Sequence, residues 1–305
     1  MLNQTSVTEF LLLGITDIQA LQPYLFVLFL AIYAVSVIEN GAVLTVVISD
    51  PRLHLPMYVF LGNLSCLDIC YSTVTLPKML ENFFSTHKAI SFLGCISQLH
   101  FFQFLGTAES LLLAAMAFDR FVAICRPLHY SVIMIQLCTQ MAVTVWTIGF
   151  FHALLHSITT SRLNFCRSNQ IQHFFCDVKP LLELACGNTE LHQWLLNTVT
   201  GTIATGPFFL TLLSYFYIII SLFSKSHSCS TLHKALSTCA SHFTVVILFY
   251  VPVLYTYTRP PSRSAVQQDL VTAIMYSAVT PVLNPLIYTL RNKDVKGALS
   301  TVLRR

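Results

Sequence analysis

Apolar positions in this chain gather into seven long runs, at about 23–48, 57–80, 92–125, 137–158, 194–223, 235–257 and 267–290, separated by short polar stretches. A helix needs ~20 apolar residues to cross the hydrocarbon core of a bilayer, so each run predicts one membrane-spanning helix. The expected fold class is therefore an all-α membrane protein, a seven-helix bundle forming a single domain over 1–305. Residues 1–22 read as an exposed N-terminal tail, 23–290 as the bundle and 291–305 as a C-terminal tail. Within that tail, residues 292–303 can form a short amphipathic helix on the membrane surface, with Val295, Leu299 and Val302 on one side and Lys293 and Lys296 on the other.

Composition removes the soluble alternative. The chain is 55% hydrophobic and 10% charged, with a mean hydropathy of +0.68, too little polar surface for a soluble globule of 305 residues. The net charge of +4 does not read as nucleic-acid affinity once its distribution is considered. Ten basic residues, among them Arg52, Arg120, Arg126, Lys234 and Arg291, face three acids on one side of the expected bundle. On the other side seven basic residues face seven acids. No Lys or Arg precedes Arg52, so the positive-inside tendency puts the N-terminus outside the cell and the C-terminus in the cytoplasm. With seven crossings the ends lie on opposite sides. Glu9 and Asp17, and the lack of a basic start, argue against a cleaved signal peptide. Asn3-Gln4-Thr5 is a glycosylation sequon on the outer side, either used or a chance match.

Polar groups inside the runs mark the chemistry, because a polar or charged group in hydrocarbon has to face the bundle interior and find a partner. Glu39-Asn40 interrupts the first run, Asp68 the second and Glu109 the third. Asp68 and Glu109 are read either as a site for an ion or a shared proton, or as a hydrogen-bonded structural pair. In the third run Leu99, Phe102, Gln103, Gly106, Thr107 and Ser110 fall on one helical stripe of aromatic, small and hydroxyl residues, which suits a pocket wall or close helix packing. His152 and His156, at i and i+4 in the fourth run, suit polar contacts between helices or a metal. Prolines 207, 252 and 285 interrupt the fifth, sixth and seventh runs and supply places to bend. Cys95, Cys166, Cys176 and Cys186 lie on the outer side and allow three disulfide pairings, with a zinc site through His173 and Cys176 as an alternative. Asp119 and Arg120 stand together where the third helix leaves the lipid. A charge there costs at least ~2.5 kcal/mol unless compensated, so the pair implies a specific task, against the plainer reading that Arg120 snorkels to the headgroups.

Met116-Ala117-Phe118-Asp119-Arg120-Phe121-Val122-Ala123-Ile124-Cys125-Arg126-Pro127-Leu128-His129-Tyr130 resembles the Met-Ala-Tyr-Asp-Arg-Tyr-Val-Ala-Ile-Cys-x-Pro-Leu-x-Tyr signature of vertebrate odorant receptors, a branch of the rhodopsin-like G-protein-coupled receptors. Further stretches match in family order: Leu53 to Asp68, Ser214-Tyr215, Lys234 to His242, and Pro281 to Tyr288. Phe118 and Phe121 replace the usual tyrosines, Leu236 a phenylalanine, and Glu39 the usual glycine before Asn40.

This resemblance implies a receptor and no enzyme. It implies a small, mostly apolar volatile ligand held in the outer half of the bundle by Phe102, Gln103, Gly106 and Thr107, by Val199 and Ile203, by Tyr250, Leu254 and Tyr257, and by Ser277. Phe102 stands where amine-binding relatives carry an aspartate, and 267–290 holds no lysine of the kind that carries retinal in opsins, so a neutral ligand is expected. Coupling to a stimulatory, olfactory-type heterotrimeric G protein, raising cyclic AMP, would use Asp119, Arg120, Tyr215, Lys234, Ser237, His242, Asn284, Pro285 and Tyr288. The resemblance also pairs Cys95 with Cys176 and Cys166 with Cys186, and gives Asp68 and Glu109 as a sodium site, with no other cofactor. The expected location is the plasma membrane, with lipid as a further partner. The competing reading is a seven-helix ion or proton transporter relaying through Glu39, Asp68 and Glu109.

Overall fold

The computed structural model describes residues 7–16, 18–166, 168–225, 229–258, 266–291 and 293–302. Asn3 lies outside the described residues, as do the side chains of Lys234, Ser237 and Tyr257. Long helices dominate: α1 (Gln22–Ser49), α2 (Pro56–Phe84), α3 (Phe92–Cys125) and α4 (Tyr130–Ser161). After a short helix α5 (Val178–Leu184), the fifth rod is built from α6 (Glu190–Trp194), a π turn (Leu195–Thr200) and α7 (Gly201–Lys225). The sixth rod is α8 (Cys229–Thr258). The seventh joins α9 (Val266–Ile274), a second π turn (Met275–Val279) and α10 (Thr280–Arg291), and α11 (Lys293–Val302) follows. Among the described residues, six of these rods are long and apolar enough to cross a membrane. α3, 34 residues long, is the seventh and most central, packed against α2, α4, α7 and α8.

Sequence and packing agree on why the helices sit as they do. Prolines start α1 and α2 at positions whose backbone N–H would be unpaired in any case. On α1, Phe29, Ser36, Asn40, Val43 and Val47 form one buried stripe, while Tyr24, Val27, Ile38 and Ile48 point outward in a belt of exposed apolar side chains suited to lipid. α4 approaches α3 closely at Gly149, where an added Cβ would meet the Phe104 carbonyl oxygen at 3.0 Å. Trp146 Nε1 donates to Asn63 Oδ1 at 2.8 Å and ties α4 to α2.

Two of the internal prolines have their orphaned carbonyls satisfied from another helix. Pro285 leaves the Pro281 carbonyl without its helical donor, and Asn40 Nδ2 of α1 donates to it at 2.8 Å. Pro207 does the same to the Ile203 carbonyl, which accepts from Ser110 Oγ of α3 at 3.3 Å. Both kinks are thereby locked to a neighbouring rod.

One end of the bundle carries both disulfides. There β1 (Glu9–Leu12) pairs antiparallel with β2 (Ala89–Ser91), Phe10 opposite Ile90, and parallel with β4 (Gln170–Ile171), Leu12 opposite Ile171. A second small sheet pairs β3 (Asn164–Phe165) with β5 (Ala185–Cys186). Alternation along β1 drives Phe10 and Leu12 into a core of their own, where Phe10 meets Phe165 edge-on at 5.2 Å. The segment expected as a free tail is therefore, from Glu9 to Leu12, the central strand of a cap.

Helix ends also differ from expectation. α4 begins at Tyr130 rather than 137, launched by a 3₁₀ turn (Pro127–His129), because Val132, Ile133 and Ile135 continue the apolar run through the polar residues that suggested a loop. α8 begins at Cys229 rather than 235. At the other end of the chain Val295 and Ala298 of α11 are buried, with α11 against α1, while Lys296 is exposed.

Candidate functional site

The cap closes over the bundle through α3. Cys95 bonds Cys176 and Cys166 bonds Cys186, with Cα separations of 5.4 and 5.9 Å. Cys176 is thus unavailable to zinc, and the zinc alternative falls. Gln98 of α3 holds the loop from below: its Oε1 accepts from Cys176 N at 2.9 Å, and its Nε2 donates to the Val74 carbonyl at 2.9 Å. Phe174 and Phe175 are wholly buried, and the Phe175 ring centroid lies 4.4 Å from that of Phe102. His173, in the same loop, packs between those two rings, and burial pushes its imidazole down to about 3, so it stays neutral.

Beneath this lid lies a small cavity of about 50 Å³, lined by Phe102, Gln103, Gly106, Thr107 and Ser110 of α3, Tyr71 of α2, Thr200, Ile203 and Ala204 of the fifth rod, Phe249 and Val253 of α8, and Tyr276 of the seventh rod. That space fits water but no drug-sized ligand, so ligand entry has to displace side chains, with the contacting rings of Tyr71, Phe102 and Tyr276 at hand. Gln103 Nε2 donates to Asp177 Oδ1 of the lid at 2.9 Å. Behind Ser110 stands Tyr250 of α8, outside the lining itself, whose hydroxyl donates to the Ser110 carbonyl at 2.8 Å and lies 2.9 Å from Ser110 Oγ. A larger groove, about 670 Å³, lies between α3, α4 and α7 around Phe118, Met141 and Leu213. It opens sideways on the apolar belt, where lipid tails belong, and is remote from the lid.

Deeper in the bundle Asn284 Nδ2 donates to both oxygens of Asp68, at 3.0 and 3.1 Å. Glu109 is buried and its carboxyl reaches the Asn284 side chain, while Glu109 Oε1 and Asn284 Oδ1 have no partner among the described residues. Glu39 lies half-buried, also with one unpartnered oxygen, and shares no hydrogen bond with Asp68 or Glu109 among the described residues. The continuous polar path a transporter would need is therefore missing there.

At the opposite end from the disulfides, Asp119 Oδ1 accepts from Tyr130 Oη at 2.8 Å. No Asp119–Arg120 salt bridge forms among the described residues: the acid is hydrogen-bonded by Tyr130, eleven residues on, and the Arg120 guanidinium acts on it only through electrostatic reach. It lies within electrostatic reach of Tyr215 of α7, His242 of α8 and Tyr288 of α10. Tyr215 Oη and His242 Nδ1 form a short hydrogen bond, the His242 ring also reaches the Leu113 backbone, and Tyr288 Oη has no partner among the described residues.

Seven rods, a capped cavity and an arginine at the far end form a frame that comparison can identify. Residues 29–305 match the olfactory receptor family model. The chain is 76% identical to human olfactory receptor 12D1 over 100% of this chain and 96% of that protein. It is 76% identical to human olfactory receptor 12D2 over 100% of both, and 62% identical to human olfactory receptor 12D3 over 99% of this chain and 96% of that protein. The chain belongs to the olfactory receptor family. It is a rhodopsin-like G-protein-coupled receptor and a multi-pass membrane protein, not an enzyme.

Against the sequence-based expectations, the receptor brings Phe102, Gln103, Gly106, Thr107 and Ile203 to the cavity. It does not bring four others to the lining. Tyr250 stands behind Ser110. Val199 is half-buried away from the lining, Leu254 packs into the main core, and Ser277 is fully buried with Oγ donating to the Ala273 carbonyl at 2.6 Å. Tyr71, Thr200, Ala204, Phe249, Val253 and Tyr276 escaped sequence reasoning. Tyr71 was within reach of it, standing one turn from Asp68 on the same helix face. Thr200 and Tyr276 were not, because each sits in a π turn that shifts the helical phase. His152 and His156 share Thr200 Oγ1 as partner, and no third metal-binding side chain joins them among the described residues, which removes the metal reading.

Proposed function

We propose that this receptor binds small, mostly apolar volatile molecules in the lidded cavity and activates a stimulatory, olfactory-type G protein to raise cyclic AMP. One observation carries the reading. α8 lines the cavity with Phe249 and Val253, places Tyr250 against Ser110 of its wall and carries, on the same rod, His242 within electrostatic reach of Arg120, so a ligand that displaces those side chains acts on the far end directly. The ligand shifts the equilibrium only by its differential affinity for the two arrangements. The cavity walls mix aromatic, aliphatic and uncharged polar side chains, and no side chain lining the cavity is charged, in keeping with a neutral ligand.

In this reading the disulfide end lies outside the cell, where disulfides form and persist, and Arg120 faces the cytoplasm. Asp68, Glu109 and Asn284 would hold a sodium ion; the unpartnered oxygens of Glu109 and Asn284 are hard donors of the kind such a cation takes, and the ion would compensate the buried carboxylate charge. The test is Arg120→Ala in cells carrying a cyclic-AMP reporter. Ligand-evoked cyclic AMP is expected to vanish while surface expression stays near that of the parent. A normal response from that variant refutes the mechanism.

A further inference from the structure

Besides the rings of Tyr71 and Tyr276, four polar side chains line the cavity, and two of them are already committed to the protein. Gln103 donates to Asp177, and Ser110 is held between Tyr250 and the Ile203 carbonyl. The other two, Thr107 and Thr200, are held, among the described residues, by a pair of histidines behind the wall. Thr107 Oγ1 lies 2.9 Å from His152 Nδ1, and Thr200 Oγ1 lies 3.1 Å from His152 Nε2 and 2.9 Å from His156 Nε2. Both rings are buried, their centroids 4.7 Å apart, and no carboxylate belongs to the chain of contacts. A cationic ring there would be an uncompensated charge at bilayer depth, so each imidazole is neutral, with one N–H and one bare nitrogen.

With the Thr200 hydrogen kept within the wall, two arrangements remain. The Thr200 hydroxyl has one hydrogen and two nitrogen neighbours, so when that hydrogen goes to a ring it donates to one ring and accepts from the other. In the first arrangement His152 donates from Nε2 to Thr200, Thr200 donates to His156 Nε2, and Thr107 donates to His152 Nδ1. Both threonines then offer the cavity lone pairs alone. In the second, His152 donates from Nδ1 to Thr107, Thr200 donates to His152 Nε2, and His156 donates from Nε2 to Thr200. The hydrogen of Thr107 is then free to be donated into the cavity. Both arrangements hold the same number of hydrogens and differ only in ring tautomer.

The geometry points to a hydrogen-ordering relay, Thr107–His152–Thr200–His156, that lets one wall of the cavity present either acceptors or a donor, so that the site takes small apolar molecules carrying one oxygen, as alcohol or as carbonyl. This deepens the proposed function and rests on it. An alcohol donates to the first arrangement and a ketone or aldehyde accepts from the second, each drawing the relay toward the tautomers it fits. His152 and His156 are positioning residues here, since the ligand touches only the threonines.

Two experiments test it. Nitrogen-15 histidine resonances of the purified full-length receptor in lipid nanodiscs, assigned by the loss of signals in His152→Phe and His156→Phe, read the tautomers without any ligand. Opposite occupancy is expected, one of the two rings carrying hydrogen on Nε2 and the other not. Thr200→Val should abolish that correlation and Thr200→Ser restore it. Matching Nε2 states in the two rings, or a doubly protonated ring at pH 7, overturns the relay.

The second experiment measures receptor activation by secondary alcohols and the methyl ketones of the same carbon skeleton. The parent should respond to both members of at least one pair, and His152→Phe should change the alcohol-to-ketone potency ratio by about tenfold, the scale of one hydrogen bond. A purely structural role would lower both potencies together and leave the ratio unmoved, which counts against the inference. A receptor that answers other volatiles but neither member of any pair also overturns it, with the proposed function intact. Silence to every volatile defeats the proposed function instead, and the ring resonances still decide the relay.

Discussion

The two ends of this bundle are built on opposite terms. At the disulfide end the backbone is cross-linked: β1 is paired on both edges, Cys176 is tied by its disulfide and by Gln98, and Asp177 caps α5 while accepting from Gln103. At the Arg120 end the described residues hold no disulfide and no strand, and the rods meet through side chains such as Tyr215 and His242. Buried polar atoms without a partner among the described residues occur at both ends, at Asn82, Thr160 and His192 near the cap and at Tyr288 near Arg120, so polar satisfaction does not separate the two. The contrast teaches where this receptor can move: the cap holds the ligand side in register, and the end joined by side chains alone has room for a second packing.

The largest effect should follow from releasing the tighter end. Cys95→Ser opens a loop of 81 residues and is expected to cost about 2–5 kcal/mol, seen as a lowered melting temperature and reduced surface display. Cys166→Ser opens a separation of only 20 residues and should cost less by about 1 kcal/mol on the loop-entropy account. Equal losses would show that strain, not closure, sets the stability of the cap. Next comes Asn40→Ala, which strips the donor from the Pro281 carbonyl and should destabilise the receptor by about 1–3 kcal/mol in thermal unfolding. No loss would mean that the kink at Pro285 finds its own partner.

The smallest effect belongs to the turn between α1 and α2. Asp50 accepts from the Arg52 side chain and backbone, and those bonds hold its carboxyl down at about 2. A depressed carboxyl stabilises the fold above its unfolded value of ~3.9 and loses that contribution as pH falls through about 2, so nothing changes near neutrality. Arg52→Ala should raise the Asp50 titration toward ~3.9 by carbon-detected resonance, short of it because residue 52 keeps its backbone N–H bond to Asp50, and lower neutral-pH stability only slightly, as for an exposed pair.

Much of this contrast was legible in the chain itself. The range of α3, the stripe from Leu99 to Ser110 and the burial of Asp68 and Glu109 inside the bundle follow from periodicity and from the cost of burying polar groups in lipid. The cap was not legible, because strands of two to four residues pair across 80 to 160 positions and leave no periodic trace. Thr200 and Tyr276 were hidden by their π turns, and the partner of Asp119 by distance, since the adjacent Arg120 offered a nearer candidate than Tyr130.

Paired spin labels test the central claim most directly. One pair, Leu128→Cys with Ala240→Cys, reports the Arg120 end, and the other, Leu93→Cys with Val251→Cys, reports the disulfide end. Both are measured with and without a peptide from the C-terminus of a stimulatory G-protein α subunit. The first distance should lengthen by several ångströms while the second holds within error; equal changes at the two ends, or no change at the first, would contradict the account.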